Sequence, residues 1–275
     1  MKKRLFTCKN FNAGSLLIAG VLFLVFCFNV EAGGNKNKPA TVLTVGATPV
    51  PHAEMLNLIS DTLAAQGIIL NVIEFNDYDG PNTALINGEI DANFSQNLPY
   101  LESHRDWVER LVPVFGVHIE PLGLYSTKYR NINRLPDGAM IAIPNDPING
   151  GRALLLLQAN GLITLRDGAG MTASLSDITG NPKNFRFREI EAALLVRALV
   201  DIDAAIINGN FALQAGLNPV RDSLIIEGPD SPYVNYVVVR KGSEHDSKIL
   251  ALRSALLSPA IRDYINRMDG LVSAF

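Results

Sequence analysis

The segment IAIPNDPINGGRALLLLQANGLI, Ile141–Ile163, contains a strand, a polar turn and a helix in direct succession. The apolar run Ala139–Ile143 predicts a buried strand, and the pattern over Arg152–Asn160 predicts a helix that ends at Gly161. A strand followed at once by a helix is the repeating unit of α/β sheets with parallel strands. This segment therefore predicts the fold class of the chain.

The same alternation extends along the chain on both sides of this segment. Further strands are predicted at Thr41–Gly46, Ile68–Phe75, Ile90–Phe94, Val112–Ile119, Leu122–Ser126, Phe185–Glu189, Ala204–Ile207 and Tyr236–Val239. Helices are predicted at His52–Gln66, Pro81–Asn87, Leu98–Arg110 and Ile190–Val200, with two more within Asp246–Met268. A single sheet would need about ten strands, which approaches the upper limit for an open twisted sheet. We therefore expect an α/β fold divided into two lobes.

The composition excludes several classes of protein. The formal net charge is −3, with 24 Lys and Arg against 27 Asp and Glu. Because no basic excess is available for phosphate groups, we expect no nucleic-acid partner. Two cysteines cannot form a disulfide scaffold or a four-cysteine zinc site, and we expect neither a metal nor a cofactor.

The N-terminal residues have the pattern of an export signal. The basic group Lys2–Arg4 precedes the uncharged stretch Ser15–Phe28, which is shorter than the roughly 20 residues that span a bilayer. Small side chains predict cleavage after Ala32, which makes residues 1–32 a signal peptide. The polar residues 33–40 read as a flexible tether, and the chain is expected in the periplasm or the cell envelope.

A second interpretation of the same residues is left open. The sequence Leu24–Cys27 (LVFC) loosely resembles the lipobox of bacterial lipoproteins, although Phe26 is larger than the residue usually found there. In this interpretation Cys27 is acylated, and the lipid anchor would be the protein's only contact with a membrane.

Four turns after predicted strands share an unusual composition, at Gly46–His52, Phe94–Pro99, Pro144–Arg152 and Asn208–Phe211. Ligands of open α/β sheets bind at the carboxyl ends of strands, where such turns lie. Asn and Gln offer donors and acceptors without charge, and Gly allows a ligand to approach the backbone closely. We therefore expect a small-molecule site built from these turns.

Arg152 and Asn208 are the most informative residues of these turns. The predicted helix begins near Gly151, which places Arg152 in its first turn, where a cation is disfavoured unless an anion is present. A bound carboxylate would resolve the conflict; alternatively, Arg152 faces water or pairs with a nearby acid. Asn208 could bind both an amine and a carboxylate, or could be an ordinary turn residue. His52, in the first turn, is a further candidate.

Motifs of catalysis are missing from the sequence. It contains no GxxxxGK[ST] phosphate loop and no GxSxG nucleophile elbow. The GxGxxA match at Gly168–Ala173 is rejected because no good helix pattern follows it. The four histidines are not spaced as metal ligands. A binding protein is favoured over an enzyme, with an enzyme, sensor or adhesin on the same fold as the alternative.

Four stretches together identify a resemblance to a known family. They are DANFSQNLPYL (Asp91–Leu101), Ile141–Ile163, EIEAALLVRALVDIDAAIINGNFALQAGL (Glu189–Leu217) and SPYVNYVVVR (Ser231–Arg240). They resemble the NlpA lipoprotein family, the methionine-binding proteins of methionine ABC importers. The resemblance implies a type II-like periplasmic-binding-protein fold, with mixed sheets, a hinge and an interlobe cleft. We expect lobe 1 at residues 41–120 plus 236–275 and lobe 2 at residues 121–235. The implied partners are an importer permease and its ATPase.

The resemblance also implies roles for individual residues. Arg152 falls on the position that binds the ligand carboxylate, and Asn208 and Asn235 fall on those that bind its amine and carboxylate. Tyr78 and Tyr100 fall on aromatic positions that line the thioether pocket. Further candidates are Asn149 and Glu191.

The chain departs from the family pattern at one place. Where the family usually has FFQHxPYL, this chain has FSQNLPYL, so that Ser95 and Asn97 replace a Phe and a His of the side-chain pocket. A fully buried Phe contributes about 1.5–3 kcal/mol of apolar contact. The departure implies a larger and more polar pocket. We therefore expect the ligand to be methionine, a more polar amino acid or a very short peptide.

Overall fold

The computed structural model describes residues 40–275. The predicted signal peptide, Cys27 and all but the last residue of the predicted tether lie outside the described residues. Within residues 40–275, no helix combines the length and the apolar character that crossing a bilayer requires.

The described chain alternates strands and helices, as its sequence predicts. The strands are β1 Thr41–Ala47, β2 Ile68–Glu74, β3 Ala92–Asn97, β4 Leu111–Ile119, β5 Gly123–Tyr125, β6 Met140–Pro144, β7 Thr164–Leu165, β8 Ile178–Gly180, β9 Arg186–Ile190, β10 Ala204–Ile207, β11 Ser223–Ile226, β12 Val234–Arg240 and β13 Val272–Ser273. The helices are α1 Glu54–Leu58, α2 Ser60–Ala64, α3 Gly80–Asn87, α4 Leu98–Glu102, α5 Arg105–Arg110, α6 Pro147–Ala159, α7 Leu195–Ala198, α8 Gly209–Gln214, α9 Pro219–Asp222, α10 Ser247–Leu256 and α11 Pro259–Arg267. A π-helical turn at Pro49–Ala53 and 3₁₀ turns at Ile132–Arg134, Leu175–Asp177 and Ala192–Leu194 complete the described elements.

The first sheet is mixed and has six strands in the order β13-β4-β12-β3-β1-β2. The strands β1, β2 and β3 are parallel, and β12 runs antiparallel to both β3 and β4. Its core includes Leu43, Val45, Met55, Leu252 and Ile261, all buried. Each such side chain contributes about 1.5–3 kcal/mol by its removal from water.

The second sheet has five strands in the order β11-β5-β10-β6-β9. Here β6, β9 and β10 are parallel, and β5 is antiparallel to β10 and β11. One face packs on α6 through Ile141, Leu154 and Leu157, and the other packs on α7 through Ala142 and Leu195. Because helices cover both faces, the central strands β6 and β10 are apolar throughout.

The chain passes between the two sheets twice within the described residues. It leaves the first sheet after β4 and enters the second at β5, and it returns from β11 to β12. The connecting residues are 120–122 and 227–233. Two mixed α/β sheets joined in this way confirm the predicted fold class. The lobe boundaries themselves remain a proposal, and β12 begins two residues before the expected boundary at residue 236, which places Asn235 in the first sheet.

Two predicted elements differ from the structure in ways that matter for the site. The prediction of a turn over Phe94–Pro99 was wrong, because β3 continues to Asn97 and α4 begins at the next residue. The predicted start of α6 was also wrong, because this helix begins at Pro147 and not near Gly151. Asp146 caps that end, and Pro at the first helical position is preorganised for a helix.

The glycine pair in α6 misled the prediction because glycine usually weakens a helix. A Cβ on Gly151 would lie 2.1 Å from the backbone oxygen of Met171, and a Cβ on Gly150 would lie 2.9 Å from that of Pro144. These glycines therefore allow close packing of α6, which stabilises the helix through tertiary contacts.

Candidate functional site

A cavity lies where the carboxyl ends of strands from both sheets meet. It is lined by His52, Tyr78, Ser95, Gln96, Asn97, Tyr100, Glu120, Asn149, Arg152, Asn208, Gly209, Asn210 and Asn235. All the predicted binding residues except Glu191 line this cavity. Glu191 is exposed and lies at a neighbouring depression with Asn145 and Asp146.

Arg152 lies in the second turn of α6, so the argument that placed it in the first turn was wrong. Its guanidinium pairs with an acid, which is the alternative that the sequence left open. Nε donates to Oε1 of Glu227 at 2.9 Å, and Nη2 donates to Oε2 of the same carboxylate and to the backbone oxygen of Glu120 at 2.7 Å. The guanidinium carbon also lies 4.2 Å from the ring centroid of Tyr233. Arg152 is thereby tied to both segments that connect the sheets.

One nitrogen of the guanidinium is left for a ligand. Nη1 of Arg152 has no hydrogen-bonded partner among residues 40–275, and the side chain is only 5% exposed. A guanidinium already fixed through Nε and Nη2 loses little further freedom when Nη1 binds a carboxylate. Glu227 therefore positions Arg152 and neutralises its charge.

Asn208 and Asn149 are connected in a polar chain that starts at the cap of α6. Asp146 accepts from the backbone N–H of Asn149 at 2.8 Å and from its amide at 3.0 Å. Asn149 Oδ1 in turn accepts from Nδ2 of Asn208 at 2.8 Å. Asn208 precedes α8 without capping it through its side chain. Its Oδ1 is buried with no partner in the described chain. Asn208 therefore keeps a hydrogen-bond acceptor available for a ligand.

Asp146→Ala is expected to lower the free energy of unfolding by about 0.5–2 kcal/mol, the usual effect of losing an N-cap. Because Asp146 also orients Asn149, the variant should weaken ligand binding as well. Urea denaturation measures the first effect. The matched control is Asp246→Ala at the start of α10, where the side chain makes no capping bond and the loss should be a few tenths of a kcal/mol. Equal losses in the two variants would contradict the role of Asp146.

Aromatic side chains form another wall of the cavity. Tyr78 donates to Oδ1 of Asn210 at 2.7 Å, and Tyr100 donates to Oδ1 of Asp79 at 2.7 Å. The two rings lie 5.6 Å apart between centroids, and Phe211 lies 5.2 Å from Tyr78. Because their hydroxyls are held, the rings present apolar faces in fixed positions. Burial raises the pKa of both tyrosines, so they remain neutral donors.

Asn210 and Gln96 were not among the predicted binding residues. Asn210 Nδ2 is buried and has no partner in the part of the chain that the structure describes, so it is a free donor toward the cavity. Gln96 belongs to a buried amide cluster, in which it exchanges hydrogen bonds of 2.7 and 2.8 Å with Asn82. The sequence signal for Asn210 as a binding residue was its position, because it lies two residues after Asn208 in the same predicted turn.

Ser95 and Asn97 are partly used inside the protein. Ser95 Oγ donates to Oδ1 of Asn93 at 2.7 Å, and Asn97 Oδ1 accepts from the backbone N–H of Tyr100 at 3.0 Å. Both side chains still line the cavity. What they offer a ligand is therefore the acceptor lone pairs of Ser95 and the amide donors of Asn97. Asn235 lies beside Asn97 and His118 across neighbouring strands of the first sheet.

A buried cluster of two histidines and a carboxylate also reaches the cavity. His118 Nε2 lies 2.8 Å from Oε1 of Glu120, and His52 Nε2 lies 3.3 Å from the same oxygen. Thr48 Oγ1 lies 2.7 Å from Nδ1 of His52. The three residues are at most 6% exposed. We call them the His52–Glu120–His118 cluster. Sequence spacing could not reveal it, because His52 comes from a different element than His118 and Glu120, which lie together at the end of β4.

Burial determines the protonation of this cluster. It lowers the pKa of His52 to about 4 and that of His118 to about 3, so both imidazoles are neutral at pH 7. Burial raises the pKa of Glu120, while His52 and Arg152 act in the opposite direction.

His118→Gln is expected to make the protein less sensitive to acid. In the unfolded chain a histidine binds a proton near pH 6.5, whereas folded His118 resists protonation down to about pH 3. The unfolded state therefore binds more protons in this window, and stability falls by about 1.4 kcal/mol per pH unit as the pH drops below 6.5. Urea denaturation between pH 7 and pH 4 should show a shallower loss in the variant. His245→Gln, at an exposed position, is the matched control, and a profile of His118→Gln as steep as the control's would contradict the assignment.

Comparison with known proteins finds relatives that are named as bacterial lipoproteins. Residues 43–272 match the family described as NlpA lipoprotein. Membrane lipoprotein TpN32 of Treponema pallidum is 41% identical over 222 residues, which are 80% of this chain and 83% of that protein. Methionine-binding lipoprotein MetQ of Bacillus subtilis is 39% identical over 93% of this chain and 97% of its own length.

Solved structures show the same fold. A nutrient-binding protein from Burkholderia cenocepacia, bound to methionine, superposes with a TM-score of 0.81 at 39% sequence identity, covering 85% of this chain and 100% of that one. The methionine in that structure belongs to that protein. For the present chain, the likeness extends over nearly all of the described residues.

Proposed function

Because the chain belongs to the NlpA lipoprotein family, we propose that it is the extracytoplasmic substrate-binding protein of an ABC importer and binds a free amino acid in the cavity beside Arg152. The observation that carries this proposal is that Arg152, whose Nη1 has no partner in the described chain, lines one cavity with Asn208 and Asn210, each of which has an unpaired amide group. A zwitterion offers a carboxylate and an ammonium group to such a set.

The polar and aromatic walls of the cavity favour an amino acid over other small molecules as the ligand. Polar groups that suit the head of an amino acid come from α6 and α8. The rings of Tyr78 and Tyr100 stand at another wall and suit an apolar or mixed side chain. A ligand that bridges both walls would stabilise the closed arrangement of the two sheets.

Methionine is the first candidate ligand, since the Bacillus relative is named for methionine binding and the Burkholderia structure contains it. Ser95 and Asn97 line the cavity with polar atoms where the family pattern has larger rings. A thioether gains little from an amide donor. We therefore include more polar amino acids and very short peptides in the proposal.

The proposal includes export and partners. An importer permease and its ATPase would receive the ligand, and the protein would act in the periplasm or at the cell envelope. Attachment through Cys27 and release after Ala32 are the two alternatives for its N-terminus. The mass of the N-terminal peptide of the exported protein distinguishes them, because an acyl chain adds a fixed mass to Cys27.

The test of the proposed function uses protein that is unfolded, washed free of ligand and refolded. Each of the twenty amino acids is screened by thermal unfolding, and those that stabilise the protein are titrated by calorimetry. A ligand at 100 times its Kd contributes about 2.7 kcal/mol, which should raise the Tm by roughly 5–10 °C for a chain of this size. We expect at least one amino acid to bind with 1:1 stoichiometry. A refolded protein that binds none of the twenty, nor their dipeptides, would contradict the proposal.

A further inference from the structure

The cavity holds a carboxylate that lacks a cationic partner. Arg152 is paired with Glu227, and no Lys or Arg side chain forms an ion pair with the Glu120 carboxylate within residues 40–275. The two imidazoles beside Glu120 are neutral at pH 7, because burial lowers the pKa of both, so they supply no charge. An ionised Glu120 therefore leaves the cavity with an excess negative charge, which is costly in a buried site.

The carboxylate is held in place for a ligand. His118 Nε2 is hydrogen-bonded to its Oε1 at 2.8 Å, and His52 Nε2 lies 3.3 Å from the same oxygen. α8 packs directly against it, because a Cβ on Gly209 would lie 3.0 Å from Cβ of Glu120. Glu120 cannot turn away to water without disturbing these neighbours. The side chain still lines the cavity.

A second acceptor lies in the same cavity. Asn208 Oδ1 is buried and unpartnered in the described chain, since the amide nitrogen of that side chain is already bound to Asn149. A carboxylate and a free amide oxygen on one cavity are complementary to a cation with several N–H donors. A protonated amine has this chemistry.

We propose that Glu120 is the counter-charge of the ligand's ammonium group and, together with Asn208 Oδ1, makes the site select ligands that carry a protonated amine. The inference rests on the proposed function. His118, which is hydrogen-bonded to the carboxylate, is a positioning residue that orients it. The charged and titratable groups near Glu120 are His52, His118, Arg152, Tyr78 and Tyr264. A metal ion held by the same cluster is the competing occupant, and the test separates the two.

The experiment compares two probes that differ only in the amine, L-methionine and 4-(methylthio)butanoate. Calorimetric titration of the refolded wild-type protein should show L-methionine binding at least about 100-fold more tightly, the effect of charged hydrogen bonds that the analogue cannot make. If the amino-acid screen selects a different ligand, that amino acid and its deaminated acid replace the pair. An affinity ratio near one would overturn the proposal without any variant.

Glu120→Gln supplies the second measurement. It should weaken the binding of L-methionine by roughly 10- to 150-fold, while the affinity for the deaminated analogue should change less than about threefold. The matched control is Glu109→Gln, at an exposed carboxylate of α5, which should change neither affinity. His118→Gln should weaken the binding of L-methionine less than Glu120→Gln does, and it should leave the affinity for the analogue unchanged. Circular dichroism checks that each variant is folded.

Three outcomes would overturn the inference. Equal losses for both probes in Glu120→Gln would show a structural role only. Unchanged affinities would show no role. Binding of one Zn²⁺ per wild-type chain that competes with L-methionine and is lost in His118→Gln would assign the cluster to a metal. A wild-type protein that binds no amino acid would instead contradict the proposed function.

Discussion

Arg152→Ala is expected to weaken amino-acid binding by roughly 10- to 150-fold, the effect of losing hydrogen bonds to a charged carboxylate. The same variant should lose stability on the order of 3 kcal/mol, because removing one member of a largely buried ion pair leaves the other charge uncompensated. The remaining charge is that of Glu227, whose side chain is 16% exposed. Arg152 also contacts both segments that connect the sheets, so its loss should weaken the contact between these segments.

Calorimetry with the amino acid found in the screen measures the first effect, and urea denaturation measures the second. The matched control is Arg105→Ala, which removes an arginine that is 90% exposed and pairs with Glu109. Exposed pairs of this type contribute about 0–1 kcal/mol. Ligand affinity in Arg152→Ala equal to that of the control would show that the guanidinium does not bind the ligand.

Gly151→Ala is expected to destabilise the protein by about 1–3 kcal/mol, toward the upper end of that range. An added Cβ would lie 2.1 Å from the backbone oxygen of Met171 and 3.0 Å from the backbone nitrogen of Ala173. Backbone atoms cannot rotate away as a side chain does, so α6 itself would have to move. Because Gly151 precedes Arg152, the shift should also displace the guanidinium and weaken ligand binding.

Helix propensity alone predicts the opposite sign for this substitution, since Ala is favoured over Gly by about 1 kcal/mol inside a helix. Urea denaturation of Gly151→Ala decides between propensity and packing. Gly170→Ala is the control, because a Cβ there meets no atom within 4 Å, and its effect should stay within about 0.5 kcal/mol. A stabilised Gly151→Ala variant would mean that α6 does not pack as closely as the structure indicates.

The fold class was predictable because it depends on apolar periodicity, which local sequence carries. The division into two sheets followed from the number of strands alone. Short strands such as β7, β11 and β13 were missed because two to four residues give too little pattern. The end of β3 was misplaced because its last residues, Ser95 to Asn97, are polar yet buried, satisfied by an amide cluster that only the tertiary structure assembles.

Prediction of the candidate site from the sequence was limited in a different way. The residue type of Arg152 and its place after a strand correctly indicated a position on the cavity, but the helix-dipole argument for it failed. The actual reason is its pair with Glu227, which lies 75 residues away in the chain. Glu120 and His118 were missed for a similar reason, since their contact with His52 joins distant elements and leaves no local pattern. The sequence Ile207–Phe211 (INGNF) was interpreted as a ligand-binding turn, and this identified Asn208. Asn210 lies in the same turn and could have been predicted on the same ground.

A crystal structure of the refolded protein with the tightest-binding amino acid tests the central claim most directly. We predict that the ligand carboxylate lies within hydrogen-bond distance of Nη1 of Arg152 and that its amine lies at Asn208 Oδ1. The side chain should point toward Tyr78 and Tyr100. A ligand bound elsewhere on the molecule, or one in the cavity whose carboxylate makes no contact with Arg152, would contradict the account.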